Sequence, residues 1–449
     1  MTVIDNYRKK ISSVTPLAVF RICFGSMLFG SIVRFWSKGW IDELYIKPQF
    51  FFSYYGFEFV KPLGEHTYFL FIICGVSALL VTFGLFYRIA IIGLFLSFSY
   101  IELIDKSTYL NHYYFISLIC FLLIFLPANV YFSIDACRNK RILAKYIPKW
   151  NIDALKLMMT IVYVYAGLAK INSDWLLEAQ PLKIWLPARN DMPIMGFLFN
   201  YTWISYVFSW FGCFYDLSIP FFLWNCRTRP FAYFTVIVFH LLTALLFPIG
   251  MFPYIMIVAA LVFFSAEFHQ KIINKIARWL HFPANFLDAS KTYIAPKLTK
   301  WVLLVFFVFQ LLFPFRYLLY PNELFWTEEG YRFSWRVMLM EKAGYTQFTV
   351  KDNVSGKQIV VNNNDFLTTL QEKMMSTQPD MIVQYAHFLR DFYAKNGFNA
   401  PKVFVDSYVA LNGRIGKPLI SPNTDLTKVQ DSFQHKSWIL PFNDTIKGF

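Results

Sequence analysis

Charge is scarce in this chain. Asp, Glu, Lys and Arg together make up 16% of its 449 residues, where a water-soluble domain carries roughly a quarter. So little charge cannot cover a large soluble surface, which excludes a cytosolic globular protein of this length. Acid is scarcer than base, with 28 Asp and Glu against 42 Lys and Arg and a net charge of +14. The excess does not form a nucleic-acid face. It falls in short clusters between apolar runs, the largest being Arg138, Lys140, Arg141, Lys145 and Lys149, and membrane insertion produces that distribution.

Cysteine is restricted as well. The six are Cys23, Cys74, Cys120, Cys137, Cys213 and Cys226. None follows position 226, so the C-terminal part has no disulfide of its own. None stands in a Cys-x-x-Cys or zinc spacing. Internal repeats are missing, as are the paired broken helices of transporters. That absence, with the large polar tail, speaks against a transporter or channel. The first apolar run has no small-residue cleavage site and reads as a retained span rather than a signal peptide.

Apolar residues are what the sequence has in plenty: 57% of the chain is hydrophobic and 20% aromatic, with 52 Phe and 27 Tyr. Runs long enough to cross a bilayer fall at about 15–35, 68–87, 89–104, 112–132, 155–170, 203–224, 230–247, 251–267 and 299–316. A span needs roughly 17–25 residues. The expectation is a polytopic α-helical membrane domain of about nine spans over 1–319. Arg8, Lys9 and Lys10 precede the first span, and most basic loops then fall on the same side. This places the N-terminus in the cytoplasm and the C-terminal domain outside it.

From about 320 the pattern changes to that of a soluble fold. Segments 347–350 and 358–361 alternate around Asp352-Asn353-Val354-Ser355-Gly356, which reads as a hairpin. Segments 365–375 and 380–394 read as amphipathic helices, and 402–411 as a strand. Residues 320–449 thus form a mixed α/β extracytoplasmic domain.

Ionisable side chains at membrane depth are expensive and become site candidates. Three stand out: Lys170 at the end of its run, His112 beside Asn111 at the start of another, and His240 inside a third. The topology brings all three towards the outer leaflet. A lysine at a span end commonly snorkels without doing chemistry, and a histidine there is commonly interfacial. The alternative is that Lys170, in an apolar setting, is a neutral amine able to act as a general base, with a neutral histidine near a developing oxyanion.

At these residues the sequence resembles the vitamin K-dependent gamma-glutamyl carboxylase family. The stretches are NHYY at 111–114, NVYFSID at 129–135, AGLAKINSDW at 166–175, and FH at 239–240 with LFPIGMFPY at 246–254. In the tail they are GYRFSW at 330–335, VDSYVALN at 405–412 and KSW at 436–438. The resemblance covers both parts of the chain. It implies carboxylation of protein-bound glutamate coupled to epoxidation of a reduced vitamin K-type quinol, phylloquinol or menaquinol, with O2 and CO2 as co-substrates and no metal. It implies Lys170 as the base that deprotonates the quinol, with His240 and His112 at the catalytic site. Asn111, His112, His240 and Met251 lie around the quinol, and Tyr331, Arg332 and Trp335 bind the glutamate-containing peptide. The sequence departs from the family at Ala169, where a second lysine is expected, and at Met340, where a histidine is expected. It ends soon after 438, as expected of a bacterial-type short homologue.

Two other functions stay open on sequence alone. A haem-linked quinol oxidoreductase would use His112 and His240 as axial ligands. A non-catalytic membrane receptor on the same scaffold would leave Lys170 dispensable.

Overall fold

The computed structural model describes residues 7, 9–281 and 290–448. Arg8 of the N-terminal basic cluster, and Phe449 at the end of the tail, lie outside the described residues.

Every apolar run forms a helix. In chain order these are α1 (Thr15–Ser37), α2 (Thr67–Phe83), α3 (Tyr87–Ile104), α4 (Asn111–Phe125), α5 (Trp150–Ala169), α6 (Thr202–Trp224), α7 (Arg229–Leu246), α8 (Phe252–Ala260), α9 (Ala266–Trp279) and α10 (Lys297–Leu312). The expected nine spans are corrected to seven, or eight if one bent pair is a single span, among the described residues. Two runs account for the difference. The run at 112–132 yields only the 15-residue α4, which stops at Leu126-Pro127 because the residue before a proline is driven out of the helical region. The run at 251–267 breaks after Phe263, where Ser265 caps a new helix, and the two pieces meet at 113°.

Local chemistry fixes the turns between spans. α2 ends on Gly84 in the left-handed region, φ 62°, where a Cβ would stand 2.3 Å from the Arg21 guanidinium. Arg21 is buried and donates to the carbonyls of Ala128 and Phe132. Asp135, the last residue of NVYFSID, accepts from the backbone N–H groups of Phe86 and Tyr87 at 2.8 and 2.9 Å. These are orphan donors at the start of α3, so the motif is a helix cap supplied from the distant short helix Ile134–Arg138.

Two short strands, β1 (Ile11–Ser13) and β2 (Tyr146–Pro148), pair antiparallel, and beyond α10 the chain forms a four-stranded antiparallel sheet in the order β4-β3-β5-β6, where β3 is Lys342–Lys351, β4 Gln358–Val360, β5 Lys402–Leu411 and β6 Lys417–Pro418. β3 and β5 pair along their whole length, from Lys342 opposite Leu411 to Lys351 opposite Lys402. β5 buries alternate residues Val403, Val405, Val409 and Leu411, the period of a half-buried strand. Helices α11 (Thr369–Met375) and α12 (Pro379–Lys395) cover that face, with Tyr385 of α12 edge-on to Phe348.

Two apolar cores result. One lies within the membrane helices and includes Phe20, Leu94 and Met158. The other runs from the sheet into the membrane part and includes Ala169, Trp175 and Leu186 with Val405 and Tyr385. Lys170 therefore sits at the seam, between Ala169 and Trp175 of the second core.

Candidate active site

α5 and α6 approach closely at Gly167, where a Cβ would stand 2.7 Å from the Leu217 side chain and 2.9 Å from its backbone nitrogen. A larger residue would force the helices apart. Their closeness brings Asp216 of α6 to Lys170 at the end of α5. Lys170 Nζ donates to Asp216 Oδ2 at 2.7 Å and to the Ala166 carbonyl at 3.2 Å. Both side chains are buried, 7% and 6% exposed. Nζ lies 5.4 Å from the centre of the Trp175 ring, and Trp175 is itself fixed by donating Nε1 to the Ser209 carbonyl.

The sequence reading gave Lys170 no partner, and the structure pairs it with a buried carboxylate. Lys170 has an anionic partner because α6 carries an aspartate at membrane depth. That aspartate was readable by the rule that picked out Lys170; Asp216 stands in an apolar run like the other candidates.

His240, on α7, is 2% exposed. Its Nε2 shares a 2.9 Å hydrogen bond with the Tyr163 hydroxyl of α5, while Nδ1 is buried with no hydrogen-bond partner among the described residues. His112, 5% exposed, opens α4. The Phe252 ring lies against both imidazoles, 6.0 Å from His112 and 5.8 Å from His240. With Nε2 of His240 engaged and Phe252 packed on both, the two histidines do not present a facing axial pair.

Two adjoining cavities organise these residues. The smaller, about 100 Å³, is apolar and bounded by Lys170, Asp216, Tyr163 and His240 with rings such as Phe208 and Phe239. The larger, about 850 Å³, is bounded by Asn111, His112, Met251 and Tyr331. They share Trp185, Phe247, Ile249, Phe252, Val337 and Met338. The larger cavity has more base than acid on its wall: Arg34, Arg189 and Arg336, with Lys106 and Arg332 that Asp380 holds from behind, against one acid, Glu328. Such a lining favours an anionic ligand. Asn111 links the membrane part to the wall of this cavity by donating Nδ2 to the Arg336 carbonyl at 3.2 Å.

The three tail residues are not equivalent. Tyr331 faces the larger cavity. Arg332 also borders it, but its guanidinium is engaged by Asp380 at 2.8 Å and by Gln378. Trp335 borders none of the cavities described here; it is 1% exposed and stacks on Tyr114 at 4.9 Å. Phe333, Trp335 and Met338 all hold positive φ, so this stretch is a strained loop held by its surroundings.

The outer domain grips the segment after Lys170. Asp174 accepts both terminal nitrogens of Arg414, at 2.6 and 2.7 Å, and Asn412 Nδ2 at 2.7 Å. The Ser173 N–H donates to the Lys447 carbonyl. Trp185 donates Nε1 to Glu341. These contacts hold the short helix Ser173–Leu176 against the sheet. Among the described residues no group of His, Cys, Asp or Glu is arranged to hold a metal ion.

Residues 9–268 match the HTTM domain family, and residues 295–445 match the family described as vitamin K-dependent gamma-carboxylase, lumenal domain. No solved structure matches the chain.

Proposed function

Since the chain belongs to the vitamin K-dependent gamma-carboxylase family, we propose that it carboxylates protein-bound glutamate to gamma-carboxyglutamate while a reduced vitamin K-type quinol is epoxidised by O2. The quinol, oxidised by O2, supplies the base strong enough to remove the glutamate gamma-proton so that CO2 can add, chemistry beyond any side chain. Lys170 and Asp216, with His240 and Tyr163, line the apolar cavity that suits a quinol ring, and the partnerless Nδ1 of His240 is a polar atom available to it. The basic cavity next door suits a glutamate carboxylate. His112, Asn111 and Met251 line the larger cavity, next to the Phe252 ring that both cavities share, and Tyr331 faces the peptide. Arg332 and Trp335 serve the peptide by holding the strained loop in place. The natural peptide remains a glutamate-containing protein segment, delivered from the extracytoplasmic side where the C-terminal domain lies. The same reading keeps the N-terminus cytoplasmic, on the loop charges, and sets the domain boundary at 319/320.

The observation that carries this reading is the buried Lys170–Asp216 pair on the wall of the apolar cavity. A proton accepted at Lys170 Nζ, while Lys170 passes its own to Asp216 Oδ2, leaves an ammonium facing the cavity and a neutral carboxyl behind it. The pair's charge then rises from zero to +1, which balances an anion left in the cavity.

Epoxide formation and CO2 fixation into a glutamate peptide test this directly. Lys170→Arg keeps charge and reach, but a guanidinium does not give up its proton. Turnover should fall by about 10²–10⁴, the range for losing a general base. Lys170→Ala should fail similarly and recover partly with a small exogenous amine. Near-normal epoxidation in folded Lys170→Arg would sink the assignment.

A further inference from the structure

A third cavity, about 520 Å³, opens on the other side of the wall formed by Lys106, Tyr109 and Arg332. It lies between α3, α4 and α10. Phe95, Ser99 and Glu102 of α3, Tyr114 and Ser117 of α4, and Phe309 of α10 form its membrane side. Its far end is closed by Arg316 and by tail residues such as Phe433. Next to it, the outward face of α10 exposes Leu304, Val305 and Val308, a surface that only lipid chains would cover.

The charged residues around this cavity show what it is built for. Lys106 and Arg332 both hold Asp380. Lys106 and Lys436 both hold Asp431. Glu328 takes Lys342, and Glu329 takes His435. Two of the bordering charged residues have no ion-pair partner among the described residues: Glu102 and Arg316. Arg316 donates only to the carbonyls of Phe313 and Arg332. One is an acid in the last turn of α3, the other a base in the turn Phe313–Leu319 that follows α10. Burying either charge unpaired is costly, and a ligand carrying both opposite charges neutralises both at once.

We propose that this groove binds a phospholipid of the outer leaflet with a primary-ammonium headgroup, phosphatidylethanolamine. Arg316 takes the phosphate through paired guanidinium hydrogen bonds. Glu102 accepts from the ammonium. The acyl chains lie along Phe95, Leu103 and Phe309 and leave the groove beside α10. Headgroup selectivity follows from the donors. A primary ammonium offers three N–H groups to Glu102, a choline none, and a glycerol headgroup has no positive charge. This site is separate from the quinol and glutamate cavities, and it stands whether or not the chain is a carboxylase.

Native mass spectrometry of the full chain, released from detergent micelles containing one phospholipid at a time, tests it. The unaltered protein should retain phosphatidylethanolamine about tenfold better than phosphatidylglycerol, the scale of one charge-assisted hydrogen bond, with phosphatidylcholine between. Glu102→Gln should lower phosphatidylethanolamine to the level of phosphatidylglycerol. Arg316→Gln should lower both. Ser117→Phe, which fills the groove and leaves both charges in place, should lower retention of all three lipids. Equal retention of phosphatidylethanolamine and phosphatidylglycerol by the unaltered chain would overturn the proposal, as would a preference that survives Glu102→Gln.

Discussion

Two buried lysine–aspartate pairs hold this molecule at different points, and on distance alone they look alike. Lys170 meets Asp216 at 2.7 Å, and Lys106 meets Asp380 at 2.6 Å. Their surroundings differ. Asp380 is also gripped by Arg332, and Lys106 also faces Asp431, which in turn holds Lys436. Every charge in that cluster has more than one reason to stay where it is. It joins the membrane part to α12 across the seam. Lys170 and Asp216 have no second charged partner among the described residues, only the Ala166 carbonyl on Lys170 and a cavity beside them. A buried pair with redundant partners is a lock. A lone pair beside a cavity is free to trade a proton, because no second charge fixes where that proton sits.

The lock should fail first when its aspartate is removed. Asp380→Asn leaves Lys106 and Arg332 buried with one acid fewer, and breaking such a cluster costs about 3–5 kcal/mol. Thermal or denaturant melting should show that loss, and any change in turnover of the folded fraction should fall on the KM for the glutamate peptide, through Arg332, and not on that for the quinol. A variant that melts normally but turns over poorly would reverse the roles of the two pairs.

pH separates the seam further, through two aspartates with opposite signs. Burial alone would raise Asp380, but Arg332 and Lys106 outweigh it and hold the carboxyl well below the usual carboxylate range. Its stabilising contribution is complete above about pH 4, the unfolded value, and is lost only as pH falls below that. Asp105, which accepts from Gln371 of α11, is pushed up to about 6 by burial. There the folded state holds the proton more tightly than the unfolded one. Stability therefore falls as pH rises from about 4 to 6, by up to about 3 kcal/mol, and is level above. Asp105→Asn should remove that decline and leave the acid limb unchanged. A variant whose stability still declines over pH 4–6 as in the wild type would contradict the assignment.

The smallest effect is expected at the edge of the reactive cavity. Tyr163→Phe removes the hydroxyl that shares a hydrogen bond with His240 Nε2, worth about 1 kcal/mol. The account expects a modest rise in quinol KM with little change in melting temperature. A shift in the KM for the glutamate peptide alone would place His240 with the other substrate.

Much of this was legible in the sequence, for a physical reason in each case. Apolar runs gave helices, and the alternation at 402–411 gave β5, because periodicity records which face is buried. Lys170 and His240 stood out because charge at membrane depth is costly. Asp216 and Glu102 were equally visible by that rule. The span count was not legible, since it turned on where Leu126-Pro127 and Ser265 stopped helices within continuous apolar stretches. Nor was the pairing of Lys170 with Asp216, which needs Gly167 to bring α5 and α6 together. The burial of Trp335 depended on Tyr114, more than two hundred residues away, and no local pattern announces such a contact.

In the proposed mechanism Lys170 and Asp216 act as one proton acceptor. Initial rates of quinone epoxide formation in Lys170→Arg, Asp216→Asn and the double variant, each normalised to folded protein, test it most directly. Groups that act as a unit are non-additive when removed. The account predicts that each single change lowers the rate by about 10²–10⁴ and that the double variant is no slower than the worse single one. Losses that multiply in the double variant, or a near-normal rate in Asp216→Asn, would contradict it.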